Sequence, residues 1–175
     1  MNHNTDKNIV LFGFMGTGKT SAGRRVADLL ERRFIDMDVE ISRRENKTIP
    51  EIFKEDGEPH FRSLERKLVM RLSSQSGLVI ATGGGVVLDP ENVADLGRNG
   101  ILVCLSATPE VILKRTDSDN NRPLLQTQDK LKHIIDLLEL REKFYAAIPN
   151  QIETSRMSPE QTALEIIRLY ESLDA

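Results

Sequence analysis

The segment from Gly13 to Thr20, GFMGTGKT, matches the phosphate-binding loop pattern G-x-x-x-x-G-K-S/T. Its glycines allow the backbone to turn tightly, so that successive N–H groups point inward at an anion. The ammonium group of Lys19 would reach the β- and γ-phosphates of a nucleotide, and the hydroxyl of Thr20 would ligate Mg²⁺. The motif therefore predicts nucleotide binding, but it does not choose between a kinase, a GTPase and a motor protein.

Two carboxylates, Asp36 and Asp38, follow a short apolar run. In an extended segment their side chains would share one face because they are two residues apart. Near a γ-phosphate, one carboxylate would hold hydrated Mg²⁺ while the other orients a substrate hydroxyl. The same spacing also suits a solvated turn, or a helix that is capped by Asp38.

Glycines and arginines supply the remaining candidate groups. The run Thr82-Gly83-Gly84-Gly85 after an apolar segment indicates either close approach of the backbone to a ligand or a tight structural turn. Arg62 and Arg141 would together hold a carboxylate by bidentate pairing, although each alone is typical of a surface charge. Arg122 lies in the polar segment 117–128, which we interpret as a lid that would bring its cation to a transferring phosphoryl group.

These residues need a sheet that brings them together. Short apolar runs alternate with longer helical patterns, which is typical of a parallel α/β sheet with helices on both faces. The predicted strands are Ile9–Phe12, Phe34–Asp36, Leu78–Ala81, Ile101–Leu105 and Gln151–Glu153. Because ligands bind beyond the carboxyl ends of such strands, we expect the loop, the aspartates and the glycine run to lie at one edge.

Capping signals predict where the helices begin. The first helix is expected from Thr20 to Glu31, and Thr48 and Glu51 have the spacing of a capping box. Three further helices are expected where a capping residue precedes a proline: Asp89-Pro90, Thr108-Pro109 and Ser158-Pro159. Residues 38–76 hold about three helical segments between two strands, which is more than one crossover needs.

Composition limits the classes of protein that remain. The chain has 175 residues with 24 Lys plus Arg and 27 Asp plus Glu, a net charge of −3 that argues against general nucleic-acid binding. One cysteine, Cys104, excludes an internal disulfide framework and predicts a buried thiol in a reducing compartment. The sequence shows no signal peptide and no apolar stretch of membrane-spanning length, so we expect one soluble, cytoplasmic domain.

The remaining motifs narrow the nucleotide-binding class. A guanine-specific G protein would carry Asn-Lys-x-Asp after a later strand, whereas Asn46-Lys47-Thr48-Ile49 lacks the aspartate. The chain has no room for the additional strands of a large ATPase. A small-molecule kinase is therefore the leading hypothesis.

Six segments, in order, resemble the shikimate kinase family over nearly the full length of the chain. They are GFMGTGKT, DMD, IFKEDGEPHFRSLE, ATGGGVV, RPLL and LREKFY. The resemblance implies transfer of a phosphoryl group from ATP to the 3-hydroxyl of shikimate, giving shikimate 3-phosphate and ADP in chorismate and aromatic amino acid biosynthesis. It also implies a three-layer P-loop kinase fold with a five-stranded parallel sheet of order 2-3-1-4-5, a single domain over residues 1–175, and a shikimate-binding subdomain within 38–76.

The resemblance also implies roles for individual residues. The catalytic groups would be Lys19, Asp38 and Arg122. The groups that bind shikimate would be Asp38, Arg62, Gly84 and Arg141. Those that bind ATP would be Gly16, Thr17, Gly18, Lys19, Thr20, Ser21, Arg115 and Arg156, and the groups at Mg²⁺ would be Thr20 and Asp36.

Two other functions are compatible with the same residues. One is a kinase for another carboxylated polyol such as gluconate, and the other is a nucleotide-sensing module without turnover. We expect a monomer, since no exposed apolar helix obviously demands a partner.

Overall fold

The computed structural model describes residues 6–117 and 129–173 and places five parallel strands in one sheet of order β2-β3-β1-β4-β5. The strands are β1 (Asn8–Phe12), β2 (Arg33–Asp36), β3 (Leu78–Ala81), β4 (Gly100–Ser106) and β5 (Asn150–Glu153). The predicted strands and strand order are confirmed, and the ends differ by no more than one residue. This order places β1 and the loop that follows it at the centre of the sheet.

Helices connect the strands. They are α1 (Lys19–Leu29), α2 (Met37–Glu45), α3 (Ile49–Glu55), α4 (Glu58–Ser73), α5 (Pro90–Arg98), α6 (Pro109–Thr116), α7 (Lys130–Ala146) and α8 (Pro159–Leu173). A 3₁₀ turn, Val86–Leu88, follows β3. The three helices expected between β2 and β3 are therefore α2, α3 and α4.

Side chains alternate between the two faces of the sheet and build two apolar cores. Ile9 and Leu11 of β1 pack in one cluster with residues of α1 and α8, such as Val26 and Ile166. The intervening side chains of β1 pack in the other cluster, against residues of α2, α4, α5 and α7. The three-layer arrangement with helices on both faces is confirmed, and it holds the carboxyl ends of all five strands at one edge.

The ends of the helices follow the capping signals with three exceptions. The capping box of Thr48 and Glu51 forms, and prolines begin α5, α6 and α8 as expected. Thr108 makes no side-chain cap to α6. Helix α1 starts at Lys19 and stops at Leu29 rather than Glu31, because Glu31 is left-handed with φ of 52° and the Arg32 N–H turns back to the carbonyl of Ala27.

The third exception concerns the two aspartates. The strand β2 ends at Asp36, whose carboxylate caps α2 by accepting hydrogen bonds from the N–H groups of Asp38 and Val39 at 3.1 and 3.2 Å. The interpretation in which Asp38 caps this helix is wrong, as is a fully extended Asp36–Asp38 segment. Asp38 instead lies in the first turn of α2, so the two carboxylates are placed by different elements.

Burial also accounts for the single cysteine. Cys104 lies on β4 and is 1% exposed. Its burial raises the pKa of the thiol to about 11, so the sulfur stays protonated and poorly nucleophilic at neutral pH. The expectation of a buried thiol is confirmed.

Candidate active site

A cavity of about 1060 Å³ opens at the carboxyl edge of the sheet. Its lining includes residues 16–21 of the phosphate-binding loop and the start of α1. It also includes most of the other predicted site residues, namely Asp36, Asp38, Arg62, Gly84, Arg115 and Arg141. These residues are far apart in sequence. The rule that ligands bind beyond the carboxyl ends of parallel strands, here called the edge rule, therefore predicted correctly that they lie at one edge.

The loop after β1 has the backbone that its glycines predict. Gly13, Gly16 and Gly18 have φ of 143°, 76° and 98°, a region that residues with a side chain rarely adopt. A Cβ atom on Gly13 would also lie 2.3 Å from the carbonyl oxygen of Leu105 on β4. The tight turn is thus built against the neighbouring strand and directs the loop toward the N-terminus of α1.

Internal hydrogen bonds stabilise this loop. The Nζ of Lys19 donates to the carbonyl oxygens of Gly13 and Phe14 at 2.7 and 2.9 Å. The hydroxyl of Thr17, which is buried, donates to the carbonyl of Phe14 at 2.7 Å. The Lys19 cation therefore lies over the loop, beside the positive end of α1, where an anionic phosphate would be favoured.

One hydroxyl–carboxylate pair joins the loop to β2. The Oγ1 of Thr20 donates to Oδ2 of Asp36 at 2.6 Å. Mg²⁺ at phosphate-transfer sites commonly takes one or two protein oxygens and completes its shell with water and substrate phosphates. The Thr20–Asp36 pair supplies two oxygens of this kind. Among the described residues there is no group of three or more His, Cys, Asp or Glu side chains that could hold a metal ion.

The glycine run after β3 lies against two carboxylates. A Cβ atom on Gly83 would lie 2.8 Å from both Asp38 Oδ1 and Glu65 Oε1. The run thus allows carboxylates from α2 and α4 to approach the sheet edge closely. The N–H of Val86 also donates to the carbonyl of Gly83 at 3.2 Å, so the run forms the tight turn that the sequence offered as one alternative, and close approach to a ligand stays a prediction.

Glu65 is an unusual carboxylate that sequence reasoning did not single out. It is 1% exposed, and its Oε1 has no hydrogen-bond partner among the described residues. Burial, with a contribution from the negative charge of Asp38, raises the pKa of Glu65 to about 7, although Arg62 opposes this shift. Glu65 is therefore a site for a proton near neutral pH.

Arg62 is held by two carboxylates on its own helix. Its Nη1 donates to Glu65 at 2.6 Å and its Nη2 to Glu58 at 3.0 Å. A Cβ atom on Gly85 would lie 2.3 Å from Arg62 Nη1, so the guanidinium lies directly beside the glycine run. The alternative of a solvated surface arginine does not describe it.

Arg141 of α7 is a buried cation that lines the cavity, and it is 7% exposed. Its guanidinium carbon lies 5.8 Å from the centre of the Phe14 ring, in the phosphate-binding loop. Tyr145, one turn further along α7, interacts with Arg141 and donates its hydroxyl to the carbonyl of Gly84 at 2.6 Å. No carboxylate of the described residues forms an ion pair with Arg141.

The other end of the cavity is bordered by Arg115, at the end of α6. Its guanidinium donates to the carbonyl of Gly16 at 3.2 Å and to both the hydroxyl and the carbonyl of Thr154, at 3.1 and 2.8 Å. Arg156, the second arginine predicted here, is exposed on the turn after β5, whereas Thr154 and Met157 line the cavity. Thr154 was missed, although its place directly after a predicted strand is a signal that the edge rule could have used.

Two predictions fall outside the described part of the chain. Arg122 and nearly all of the segment 117–128 are among residues 118–128, which the structure does not describe. Elsewhere, none of the described helices has both the length and the apolar character required to cross a bilayer.

A family model, curated relatives and solved structures each include matches to shikimate kinases. A model of the family described as shikimate kinase matches residues 15–171. The chain is 50% identical to a shikimate kinase of Pelotomaculum thermopropionicum, over 92% of this chain and 94% of the relative, and 49% identical to one of Caldicellulosiruptor saccharolyticus, over 94% and 95%. The fold is similar to the shikimate kinase of Acinetobacter baumannii, solved in complex with shikimate, with a TM-score of 0.91 and 41% identity over 95% of this chain and 94% of that one.

Proposed function

Because the chain belongs to the shikimate kinase family, we propose that this cavity transfers the γ-phosphoryl group of ATP to the 3-hydroxyl of shikimate. The products are shikimate 3-phosphate and ADP, and the reaction serves aromatic amino acid biosynthesis. ATP is the cosubstrate and Mg²⁺ the metal. The assignment of individual residues to steps of this reaction rests on the geometry of the cavity.

The observation that carries this proposal is the buried cation of Arg141. A buried charge is costly unless it is paired. Tyr145 and the carboxylate of Glu65 both interact with Arg141, but no carboxylate of the described residues lies within ion-pair distance of it. An acceptor that brings its own carboxylate would supply the missing partner, and Arg62 offers a second cation in the same cavity. Both arginines lie beside the glycine run after β3, which supports Gly84 as a backbone contact to the acceptor ring.

The opposite half of the cavity is suited to the phosphates. The backbone of residues 16–18 and the N-terminus of α1 supply N–H groups and a positive dipole, and Ser21 lies in the first turn of the same helix. Lys19 would place its cation on the β- and γ-phosphates. Thr20 and Asp36 would hold Mg²⁺, which, when bound, draws negative charge from the phosphate oxygens.

Asp38 is the candidate for the acceptor hydroxyl. Its N–H bonds the carboxylate of Asp36, and its Oδ1 would lie 2.8 Å from a Cβ atom on Gly83. An acceptor held by the arginines in the same cavity would present a hydroxyl to it. Its carboxylate would orient this hydroxyl and accept its proton as the bond to phosphorus forms. Little covalent chemistry is required of the protein, because phosphoryl transfer gains mainly from positioning and charge stabilisation.

Three assignments extend beyond the described geometry or the family match. Arg122 would bring a further cation to the transferring phosphoryl group, and residues 117–128 would form the lid that carries it. Residues 38–76 would form the shikimate-binding part of a single domain over 1–175. Arg115 and Arg156 would flank the adenine, and for Arg156 this requires a change from its exposed position.

We extend the proposal to the setting of the enzyme. Shikimate is the small-molecule partner, and we propose a cytoplasmic monomer that binds no nucleic acid. Size-exclusion chromatography with light scattering checks the oligomeric state, and cell fractionation checks the location.

An assay of ADP release tests the activity directly. The purified chain is incubated with MgATP and shikimate, with gluconate, or without an acceptor. We expect ADP release to depend on shikimate. Stimulation by gluconate alone would point to the alternative kinase, and nucleotide binding without acceptor-stimulated release would point to a sensor.

Variants then separate the residue roles. Lys19→Ala and Arg122→Ala should mainly lower kcat, because their cations act on the transferring group. Arg141→Ala should mainly raise the KM for shikimate, because it binds a remote carboxylate. An unchanged shikimate affinity in Arg141→Ala would contradict its assignment.

A further inference from the structure

Thr154 connects the nucleotide end of the cavity to three separate elements. It follows β5 directly and is 2% exposed. Its hydroxyl oxygen lies 2.8 Å from the carbonyl of Thr17, 3.0 Å from the carbonyl of Ser106 and 3.1 Å from Nη1 of Arg115. A single hydroxyl thus contacts the phosphate-binding loop, the end of β4 and the end of α6.

The valence of a hydroxyl restricts how these contacts are shared. It has one proton to donate and lone pairs to accept with, so it accepts from Arg115 and donates to one of the two carbonyls. The carbonyl of Ser106 already accepts the backbone N–H of Thr154 at 2.8 Å. The carbonyl of Thr17 is therefore the acceptor that depends more on this hydroxyl.

The same contacts fix the orientation of Arg115. Its planar guanidinium is held between the hydroxyl and carbonyl of Thr154 and the carbonyl of Gly16. A guanidinium held at several points loses little freedom when a ligand arrives, so its affinity for that ligand increases. Removal of the Thr154 hydroxyl would take away one of the three contacts that orient Arg115, together with the hydrogen bond to the carbonyl of Thr17 in the loop.

We propose that Thr154 is a positioning residue for the nucleotide, whose hydroxyl holds Arg115 and the Gly16–Thr17 part of the loop in the geometry that binds ATP. This proposal rests on the assignment of Arg115 and the loop to ATP in the proposed function. Thr154 acts through other groups, so its effect belongs to nucleotide affinity. None of these hydrogen bonds of Thr154 reaches the shikimate end of the cavity, formed by α4, α7 and the glycine run.

The test replaces the hydroxyl without changing the size of the side chain. In Thr154→Val we expect the Kd for MgADP, measured by titration calorimetry, and the KM for ATP to rise about tenfold, since buried polar groups lose a partner. The KM for shikimate should stay within about twofold, and Thr154→Ser should restore nucleotide affinity. Thr116→Val is the matched control, because Thr116 is also buried but its hydroxyl bonds within its own helix, to the carbonyl of Ile112 at 2.8 Å.

A double-mutant cycle distinguishes positioning from a general loss of packing. Arg115→Ala should itself weaken MgADP binding, and adding Thr154→Val to it should cost much less than it does in the wild type. The proposal would be overturned if the losses of MgADP affinity in the two single variants multiply in the double variant. An equal loss of shikimate affinity in Thr154→Val, or the same loss of MgADP affinity in Thr116→Val, would also overturn it. If Thr154→Val does not fold, unchanged MgADP binding in Arg115→Ala or lost binding in Thr154→Ser would overturn it equally well.

The experiment remains informative if the proposed reaction fails. MgADP binding is measured without an acceptor, so it reports on Thr154 alone. Failure of the proposed function would appear separately, as wild-type protein that binds MgADP but releases no ADP in response to shikimate.

Discussion

At the scale of single residues, the hydroxyl of Tyr145 links Arg141 to the backbone of Gly84. Burial raises the pKa of Tyr145 to about 12, so the phenol remains a donor at neutral pH. Both of its neighbours belong to the proposed shikimate end of the cavity. Tyr145 therefore orients the two groups that would meet the acceptor.

We expect Tyr145→Phe to raise the KM for shikimate about fivefold, the equivalent of one hydrogen bond of about 1 kcal/mol, and to leave the KM for ATP unchanged. Steady-state kinetics with each substrate varied checks this. Tyr170→Phe is the control. The hydroxyl of Tyr170 also bonds an arginine, accepting from Arg32 at 2.8 Å, but Tyr170 lies on α8. Equal changes in both KM values, or the same effect from both variants, would contradict the role of Tyr145.

Glu65 predicts a pH dependence of stability. Its pKa is raised from 4.5 to about 7, so the folded state holds a proton that the unfolded state releases between these values. The stabilisation is complete below about pH 4.5 and is lost as the pH rises through about 7, a change of about 3 kcal/mol. The ligand-free protein should therefore lose stability as the pH rises through this window, and Glu65→Gln should abolish this part of the pH dependence.

Thermal unfolding of the two proteins from pH 5 to pH 8 measures this difference. Glu58→Gln is the control, because Glu58 also pairs with Arg62 but is exposed. It removes one partner of Arg62 while leaving the buried carboxylate in place. A wild type and Glu65→Gln with parallel pH profiles would show that Glu65 does not hold the proton.

At the scale of elements, the turn between β1 and α1 depends on space that only glycine leaves. In Gly13→Ala the new methyl group would meet the backbone oxygen of Leu105, and a strand cannot withdraw as a flexible side chain can. We expect a loss of more than about 2 kcal/mol, a fall in Tm of about 5 °C or more, and loss of MgADP binding. Differential scanning calorimetry and titration calorimetry check the two effects.

Gly77→Ala is the matched control for backbone strain. Gly77 also has a positive φ, 71°, but a Cβ atom there would have no atom within 4 Å. Its replacement should cost about 1–2 kcal/mol from the backbone alone and leave MgADP binding intact. A Gly13→Ala protein that is no less stable than Gly77→Ala would show that the loop yields to the methyl group.

The elements were predictable to the extent that their signals are local. Continuous apolar runs marked β1, β3 and β4, and a capping residue before a proline marked the starts of α5, α6 and α8. The end of α1 was not predictable, because a left-handed Glu31 has no strong local signature. The position of Asp38 was missed because both aspartates are good caps, and the sequence does not show which of the two carboxylates accepts the first N–H groups of α2.

At the scale of the whole molecule, contacts that join distant parts of the chain decided what the sequence left open. Thr154 bonds the carbonyl of Thr17 across 137 residues, and Tyr145 bonds Gly84 across 61. The sequence indicated which loops would meet at the edge of the sheet. The sequence could not show which side chain would form a hydrogen bond to a neighbouring loop, because that depends on the packing of α6, α7 and β5.

The net charge of −3 gives no sign that several cations line one cavity. One cavity brings together the cations Lys19, Arg62, Arg115 and Arg141, with its nucleotide and acceptor ends joined by the contact of Phe14 with Arg141. The sheet between the two apolar cores supports both ends. Each ligand should therefore stabilise the entire fold, through its own cation.

A crossed thermal-shift experiment tests this division. At about 100 times its Kd, MgADP or shikimate should each add about 2.7 kcal/mol and raise the Tm of the wild type by about 5–10 °C. Arg141→Met should lose the shift from shikimate and keep that from MgADP, whereas Lys19→Met should do the reverse, because each variant removes the cation of one end only. A variant that loses both shifts while its unliganded Tm is unchanged would mean that the two ends bind as one site, and the assignment of separate ligand cations would be wrong.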